Sequence, residues 1–148
     1  MDMIDGTRVD EVEIPEQESA DSSINEIEID VRVRYPECDP MNVVHHAVYP
    51  VWMEMARTEL LRKRGFNYSD VEKSGIFFAV ANMNVKYLKP AFYDDELMVH
   101  AKVKPTAGVK IEHIYTITRK DEVICRGETT VVCLNRDGKL QPIPEAIR

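Results

Sequence analysis

The chain has 148 residues, a formal net charge of −7 and a pI near 5.1, which fits one domain and argues against a nucleic-acid-binding protein. No apolar run approaches the ~20 residues of a membrane span, and the acidic N-terminus lacks the basic start of a secretory signal. Three cysteines are too few for a disulfide scaffold and favour a reducing, cytoplasmic location.

Residues 1–23 hold the whole net charge of the chain. They carry eight acidic side chains against one arginine, whereas the remaining residues contain 18 acidic and 18 basic side chains. The segment is polar and shows no sustained periodicity, so we predict a flexible acidic tail at 1–23 and a single domain at 24–148. The neutral body can accept an anionic ligand that the average charge would seem to repel.

The body begins with a predicted strand followed by a predicted helix. Between Ile27 and Val33 every second residue is apolar and the residues between them are charged, which is the period of a strand with one buried face. Residues 47–64 predict a helix, and Pro50 fixes its start because proline is tolerated only in the first turn. Apolar residues cover more than half of its circumference, so we expect it to be largely buried.

The end of this helix carries clear stop signals. Residues 62–64 are basic and suit the negative end of the helix dipole, while Gly65 suits the position just after the helix. Ser69 and Glu72 have the spacing of a capping box, which predicts one short extra turn closed by Gly75.

Everything after Gly75 is predicted to be strand. Apolar-rich or alternating runs at 76–88, 97–104, 109–117 and 123–134 are separated by proline- and glycine-containing turns. About five antiparallel strands and one buried helix indicate an α+β fold in which the sheet wraps the helix. Open sheet edges predict a homo-oligomer. No glycine-rich phosphate loop is present, which excludes the common nucleotide-binding folds.

The richest set of chemically functional residues lies between the first strand and the helix. Asp39 precedes His46 by seven residues, and a loop of that length can fold a carboxylate towards the backbone N–H groups at the helix start. Those N–H groups favour an oxyanion. A carboxylate beside an amide-polarised carbonyl is the minimum equipment for acyl-transfer hydrolysis. The alternative is that Asp39 only caps a turn.

This loop resembles that of the hotdog-fold thioesterases, specifically the branch of 4-hydroxybenzoyl-CoA thioesterases and tol-pal-linked acyl-CoA thioesterases. The resemblance is carried by the loop Tyr35–Tyr49, by Met53–Glu59 in the helix and by Val85–Ala91 on a later strand. It extends over residues 27–144. It implies a hotdog fold, an acyl-CoA substrate and hydrolysis to a free acid and CoA without a cofactor or a metal.

The resemblance also implies residue roles. Asp39 would be the catalytic carboxylate, as nucleophile or as general base, and the His46 backbone N–H would polarise the thioester carbonyl. The His46 ring would contact the substrate or orient Asp39. Further substrate contacts are expected from the loop and the helix start, namely from Tyr35, Asn42, Val44 and Tyr49. Asn42 stands where the family usually has glycine, but asparagine tolerates a positive φ better than other residues.

Two lysines are candidates for the phosphates of coenzyme A. Lys104 and Lys110 flank the turn at 105–108 and alternate outward together with Lys102, so a bound CoA along that surface would meet positive charge. A solvated strand face explains the same lysines equally well.

Rival chemistries remain open. A second branch of hotdog thioesterases uses a helical glutamate, and Glu54 or Glu59 would fill that role. They lie ~12 Å and ~20 Å along the helix axis from His46, so only a partner subunit could bring one to the same carbonyl. We instead expect Glu54 and Glu59 to form ion pairs within the helix or at an interface.

The remaining alternatives concern the whole protein. Cys38, Asp39, His45 and His46 lack metal-ligand spacing, so no metal is predicted. A hotdog module that binds acyl-CoA or acyl carrier protein without hydrolysis is the second functional hypothesis, and a hotdog dehydratase is a weaker third. The family resemblance implies a homodimer or homotetramer with active sites between subunits.

Overall fold

A computed structural model describes residue 21 and residues 23–105 and 108–148. Most of the predicted tail, residues 1–20 and 22, lies outside the described residues. The elements in chain order are β1 (Glu26–Arg32), α1 (Val48–Lys63), α2 (Tyr68–Lys73), β2 (Phe77–Tyr87), β3 (Glu96–Val103), β4 (Lys110–Arg119), β5 (Glu122–Leu134) and β6 (Leu140–Gln141). Single 3-10 turns occur at Tyr35–Glu37 and Glu145–Ile147.

The strands form one antiparallel sheet in the order β1-β3-β4-β5-β2, with the two-residue strand β6 paired to the end of β5. β1 and β2 therefore lie at the two edges. The predicted α+β architecture, about five antiparallel strands around one long helix, is confirmed. β6 was not predicted, because a two-residue strand after a turn leaves no periodic pattern.

The core lies between the inner face of the sheet and one face of α1. The period-two predictions hold for β3 and β4, whose alternate residues are buried against the helix. On α1 the buried side chains are Tyr49, Trp52, Met53, Ala56, Arg57, Leu60 and Leu61. Val51 and Met55 are 51% and 45% exposed. The helix is therefore covered on one face, and the prediction that it would be largely buried was too strong.

The helix ends agree with the stop signals except at one cap. Gly65 and Gly75 have φ values of 99° and 92°, as expected for residues that end a helix in the left-handed region. The cap of α2 is Asn67, whose side chain accepts the Asp70 N–H at 2.9 Å. The capping box predicted from Ser69 was therefore placed two residues too late.

Two apolar clusters divide the core along α1. One surrounds Trp52 and Met53 and lies under the loop that precedes the helix. The other surrounds Leu60 and Val71 and contains the C-terminal half of α1, α2 and the last residues of the chain. None of the described helices is long and apolar enough to cross a bilayer.

Candidate active site

The segment between β1 and α1 is a tight hairpin. Cys38 and Val44 form an isolated antiparallel bridge, and the Asp39 N–H donates to the Val43 carbonyl oxygen at 2.8 Å. At the tip the Asn42 N–H donates to the Asp39 carbonyl oxygen at 2.9 Å, and Asn42 has a φ of 64°. The turn that usually requires glycine is thus formed with asparagine, because its short polar side chain tolerates this conformation.

Asp39 lies at the base of this tip and is half-buried. Its Oδ1 accepts the Met41 backbone N–H at 2.8 Å, which is the turn-capping role considered as the alternative. No hydrogen bond from the described residues reaches its Oδ2. One carboxylate oxygen therefore fixes the orientation of the group, and the other accepts no hydrogen bond from the described residues.

A second carboxylate, Glu37, fixes the base of the hairpin. It is buried and accepts the Arg34 N–H through Oε1 at 2.7 Å and the Trp52 indole N–H through Oε2 at 3.2 Å. The carbonyl oxygen of Glu37 accepts the His45 N–H at 2.9 Å. Because Trp52 is in α1, these bonds tie the hairpin to the helix. The sequence analysis counted Glu37 only as part of the family pattern and did not identify this role.

The start of α1 presents a backbone N–H that has no partner in the described part of the chain. The Ala47 N–H donates to His45 Nδ1 at 3.0 Å and the Val48 N–H donates to the His45 carbonyl oxygen at 3.0 Å. The N–H of His46 has no acceptor among the described residues. The carbonyl oxygen of His46 accepts a hydrogen bond from the Tyr87 hydroxyl at 2.8 Å. The His46 ring stacks on the His45 ring at a centroid distance of 4.3 Å.

Aromatic side chains line the junction between the hairpin and the helix. Tyr49 is buried and makes edge-to-face contacts with Trp52 and Tyr87, both at 5.2 Å. Burial raises the pKa of Tyr49, with partial opposition from a hydrogen bond to the Ala91 backbone, so its hydroxyl is protonated at neutral pH. Sequence reasoning missed Tyr87, although it lies within the Val85–Ala91 stretch that carried the resemblance.

The loop between β2 and β3 closes the other side of the hairpin. Phe92 forms an isolated bridge with Val43, and Arg119 lies 5.8 Å above the Phe92 ring. The Arg119 guanidinium donates to Asp95 at 2.8 Å and to the Pro90 carbonyl oxygen at 3.0 Å. These contacts hold the loop in place.

Most of the predicted site residues lie at this one junction. Asp39, Asn42 and Val44 are on the hairpin, and His46 and Tyr49 are at the helix start. Tyr35 is at the base of the hairpin, but it is 78% exposed and its ring contacts Tyr93 at 5.8 Å.

The predicted lysines lie elsewhere. Lys104 follows β3 and Lys110 begins β4, at the end of the sheet opposite the hairpin. The eight residues of β3 extend over about 25 Å at ~3.3 Å per residue. Within one chain these lysines are therefore not brought together with Asp39.

The helical glutamates are placed away from the junction as well. Glu54 is exposed, and Glu59 forms an ion pair with Arg62. Arg57 does not pair with Glu54; it is buried and donates to the Tyr115 hydroxyl at 3.0 Å. Among the described residues no group of three or more His, Cys, Asp or Glu side chains is arranged to hold a metal ion.

Comparisons with known proteins bear on the family of the chain. A family model described as the thioesterase-like superfamily matches residues 33–148. The Bacillus subtilis (strain 168) protein named "Putative acyl-CoA thioesterase YneP" is 36% identical over 109 residues, which are 73% of this chain and 79% of that protein. The "Acyl-CoA thioester hydrolase YbgC" of Escherichia coli O6:H1 is 32% identical over 106 residues, covering 71% of this chain and 79% of that protein.

A solved structure supports the same likeness in three dimensions. The crystal structure of a DHNA-CoA thioesterase from Staphylococcus aureus superposes with a TM-score of 0.75 at 33% identity, over 80% of this chain and 80% of that one. The predicted hotdog fold is confirmed by this agreement in sheet and helix arrangement.

Proposed function

The chain belongs to the thioesterase-like superfamily and is a thioester hydrolase, and on this premise we propose that it hydrolyses acyl-CoA with Asp39 as the catalytic carboxylate. One observation carries the proposal: Asp39 is fixed through Oδ1 on the hairpin that leads into α1, and the His46 N–H at the helix start has no acceptor among the described residues. The names of the relatives support acyl-CoA as the substrate class. The loop pattern supports the branch of 4-hydroxybenzoyl-CoA and tol-pal-linked thioesterases.

The proposed reaction begins with the thioester carbonyl oxygen accepting the His46 N–H. This donor, at the positive end of the α1 dipole, stabilises the negative charge that develops on the oxygen. Asp39 then either attacks the carbonyl carbon through Oδ2 or takes a proton from an attacking water. After direct attack, the C–S bond breaks to leave a mixed anhydride on Asp39, which water hydrolyses to the free acid and the regenerated carboxylate. With water as the nucleophile, the tetrahedral intermediate loses the thiolate directly, and the proton held by Asp39 is released. In both cases the CoA thiolate takes up a proton. The net reaction consumes one water and gives a carboxylic acid and CoA, with no metal or cofactor.

The Asp39→Asn variant tests this assignment. The amide oxygen of asparagine can still accept the Met41 N–H, so the hairpin should keep its shape while the negative charge is lost. We expect kcat for thiol release from the best acyl-CoA to fall by roughly 10²–10⁴-fold. The measurement is a thiol-release assay over acyl-CoAs and acyl carrier proteins of varied chain length and aromaticity, which also identifies the acyl group and the carrier.

Glu54→Gln is the matched control, since it removes one carboxylate from the exposed side of α1. Its kcat should stay close to that of the wild type. A near-normal kcat in Asp39→Asn, or a large loss in Glu54→Gln, contradicts the assignment. Binding of acyl-CoA by the wild type without turnover would instead favour the non-hydrolytic module.

The active unit is proposed to be a homodimer or homotetramer in the cytoplasm. β2 pairs with β5 on one side only, and its other edge is unpaired among the described residues. Exposed apolar side chains are present on β2 and on the uncovered face of α1: Val80, Met83, Val51 and Met55. If Lys104 and Lys110 bind the CoA phosphates, a partner subunit must bring them to the hairpin.

A further inference from the structure

The turn that leads into α1 is closed by the side chain and the carbonyl group of His45. The Val48 N–H donates to the His45 carbonyl oxygen at 3.0 Å, and the Ala47 N–H donates to His45 Nδ1 at 3.0 Å. This is the bonding pattern of a helix-capping residue, whose carbonyl oxygen closes the first turn and whose side chain accepts an N–H two or three residues further on. His45 therefore caps this turn, although histidine is not among the preferred capping residues.

Capping by His45 leaves one particular donor free. A capping side chain accepts from the second or third residue after it, so the N–H of the next residue keeps no acceptor. Here the next residue is His46, whose N–H has no acceptor among the described residues. In the trans peptide unit between His45 and His46 the N–H points away from the C=O, and that C=O is held by the Val48 N–H. The closing bond of the turn therefore sets the direction of the His46 N–H.

A second side chain holds the same turn from the sheet. Tyr87 is the last residue of β2, and its hydroxyl donates to the His46 carbonyl oxygen at 2.8 Å. This carbonyl and the Ala47 N–H belong to one peptide unit, which is held at one end by Tyr87 and at the other by His45 Nδ1. It is the middle unit of the turn, and type I and type II turns differ chiefly by its rotation. Held at both ends, it cannot rotate without breaking a hydrogen bond.

Neither of these side chains belongs to the apolar core. Tyr87 is 48% exposed and His45 is exposed. Their rings are placed by aromatic contacts, since Tyr87 lies edge to face against Tyr49 at 5.2 Å and His45 stacks on His46 at 4.3 Å. Because a backbone N–H can only donate, His45 Nδ1 carries no proton and the neutral ring has its proton on Nε2. Both polar atoms that face the turn are thus committed to the backbone.

We propose that His45 and Tyr87 are positioning residues that direct the His46 N–H at the thioester carbonyl oxygen. The inference rests on the proposed function, in which this N–H stabilises the negative charge that develops on that oxygen. Such a donor is effective when it already points at the oxygen before the reaction begins, because reorientation during the reaction costs part of the free energy that the bond supplies. The two side chains act on the rate through the backbone.

Two substitutions of His45 separate the capping bond from the size of the side chain. His45→Asn places an amide oxygen where Nδ1 stands, and asparagine is a preferred capping residue. His45→Gln keeps the amide but moves its oxygen one bond further from the backbone. In His45→Gln we expect kcat to fall by roughly 10-fold, with kcat/KM falling equally, which is less than the ~10²–10³-fold loss for a deleted donor. His45→Asn should restore most of this kcat.

Tyr87→Phe tests the contact from the sheet, and Tyr93→Phe is its matched control. The first variant removes the hydroxyl that holds the His46 carbonyl and leaves the ring against Tyr49. The second removes a hydroxyl that has no hydrogen-bond partner in the described part of the chain, from an exposed ring that contacts Tyr35 at the base of the hairpin. Tyr87→Phe should lower kcat by about 10-fold at unchanged KM, whereas Tyr93→Phe should keep the wild-type kcat.

A measurement that needs no turnover follows the donor directly. The 15N relaxation order parameter of the His46 amide reports how narrowly the direction of its N–H is confined on the ps–ns timescale. It should fall in His45→Gln and in Tyr87→Phe. It should stay at the wild-type value in His45→Asn and Tyr93→Phe.

This inference and the proposed function fail in different ways. Wild-type kcat and an ordered His46 amide in both His45→Gln and Tyr87→Phe, with kcat lost in Asp39→Asn, would overturn the positioning role alone. Equal losses of kcat in His45→Gln and His45→Asn, or a higher KM at unchanged kcat, would overturn it as well. A wild type that hydrolyses no thioester would overturn the proposed function, and the order parameter of the His46 amide would then decide whether the two side chains hold this donor.

Discussion

Two carboxylates with different environments make up the chemistry of the hairpin. Glu37 is buried and both of its oxygens accept hydrogen bonds, one from the Arg34 backbone and one from Trp52. Asp39 uses one oxygen for the Met41 N–H and retains the other. A fully bonded buried carboxylate stabilises a fixed geometry, whereas a partly bonded one at a helix start can react. This difference supports a structural role for Glu37 and the catalytic role that we propose for Asp39.

At the residue scale, His113 should make stability sensitive to acid. Its pKa is about 3 in the folded protein and 6.5 in the unfolded chain, so between these values only the unfolded chain binds the proton. The free energy of unfolding therefore falls as the pH drops through this window. From pH 7 to pH 5 the contribution of His113 to this loss is about 2 kcal/mol. His113→Gln should remove that contribution, as measured by urea unfolding.

The control for this pH dependence is His100→Gln. His100 lies on β3, is only partly buried and contacts Glu26 at 3.3 Å, so its replacement should leave the acid-dependent loss intact. Equal losses in the wild type and His113→Gln would contradict the prediction.

At the scale of elements, the contact between α1 and β5 depends on Gly127. A Cβ atom at this position would lie 2.5 Å from Met53 Cε and 2.7 Å from Met53 Sδ. Gly127→Ala should therefore lower the free energy of unfolding by about 1–3 kcal/mol through overpacking, with the flexible thioether limiting the loss. Chemical denaturation measures the change.

A double-mutant cycle identifies the cause. If the clash with Met53 is responsible, Gly127→Ala should cost less in a Met53→Ala background than in the wild type, with a coupling free energy of about 0.5–3 kcal/mol. Additive effects of the two substitutions would instead place the cost in the backbone of β5.

Sequence periodicity predicted the elements well where each has one buried face. β1, β3 and β4 alternate in sequence and in burial because each has the core on one side only. β2 was predicted as a long apolar-rich strand without alternation, and most of its residues are exposed. Composition cannot distinguish an edge that faces solvent from one that another chain covers.

The sequence predicted the part of the candidate site whose residues are close together along the chain, but not the part that comes from distant strands. Asp39 and His46 were identified because they are close in sequence and lie on one hairpin and one helix start. Tyr87 and Arg119 reach the same junction from β2 and β4, and no local spacing relates them to it. For the same reason the sequence did not predict the burial of Arg64. Its charge was expected to face the end of the helix dipole, but the side chain is buried.

At the scale of the whole molecule, the uncovered apolar surface should determine the oligomeric state. Met55 on α1 and Val80 on β2 are half-exposed, and the outer edge of β2 is unpaired among the described residues. Burying such a side chain stabilises an interface by about 1.5–3 kcal/mol, whereas burying an unpaired carboxylate is destabilising by several kcal/mol. The combined variant Met55→Glu with Val80→Glu should therefore dissociate to 17.0 kDa monomers in light scattering. It should also lose turnover if the partner completes the site.

Ile114→Glu is the matched control for this surface. Ile114 is comparably exposed but lies on the outer face of the sheet, since its neighbours Ile111, His113 and Tyr115 mark the inner face. This variant should keep at least the dimer and its activity, because its carboxylate stays in water. A wild type that is monomeric at assay concentration, or an Ile114→Glu variant that alone dissociates to monomers, would place the interface elsewhere. The edge of β2 would then have no part in forming the active site.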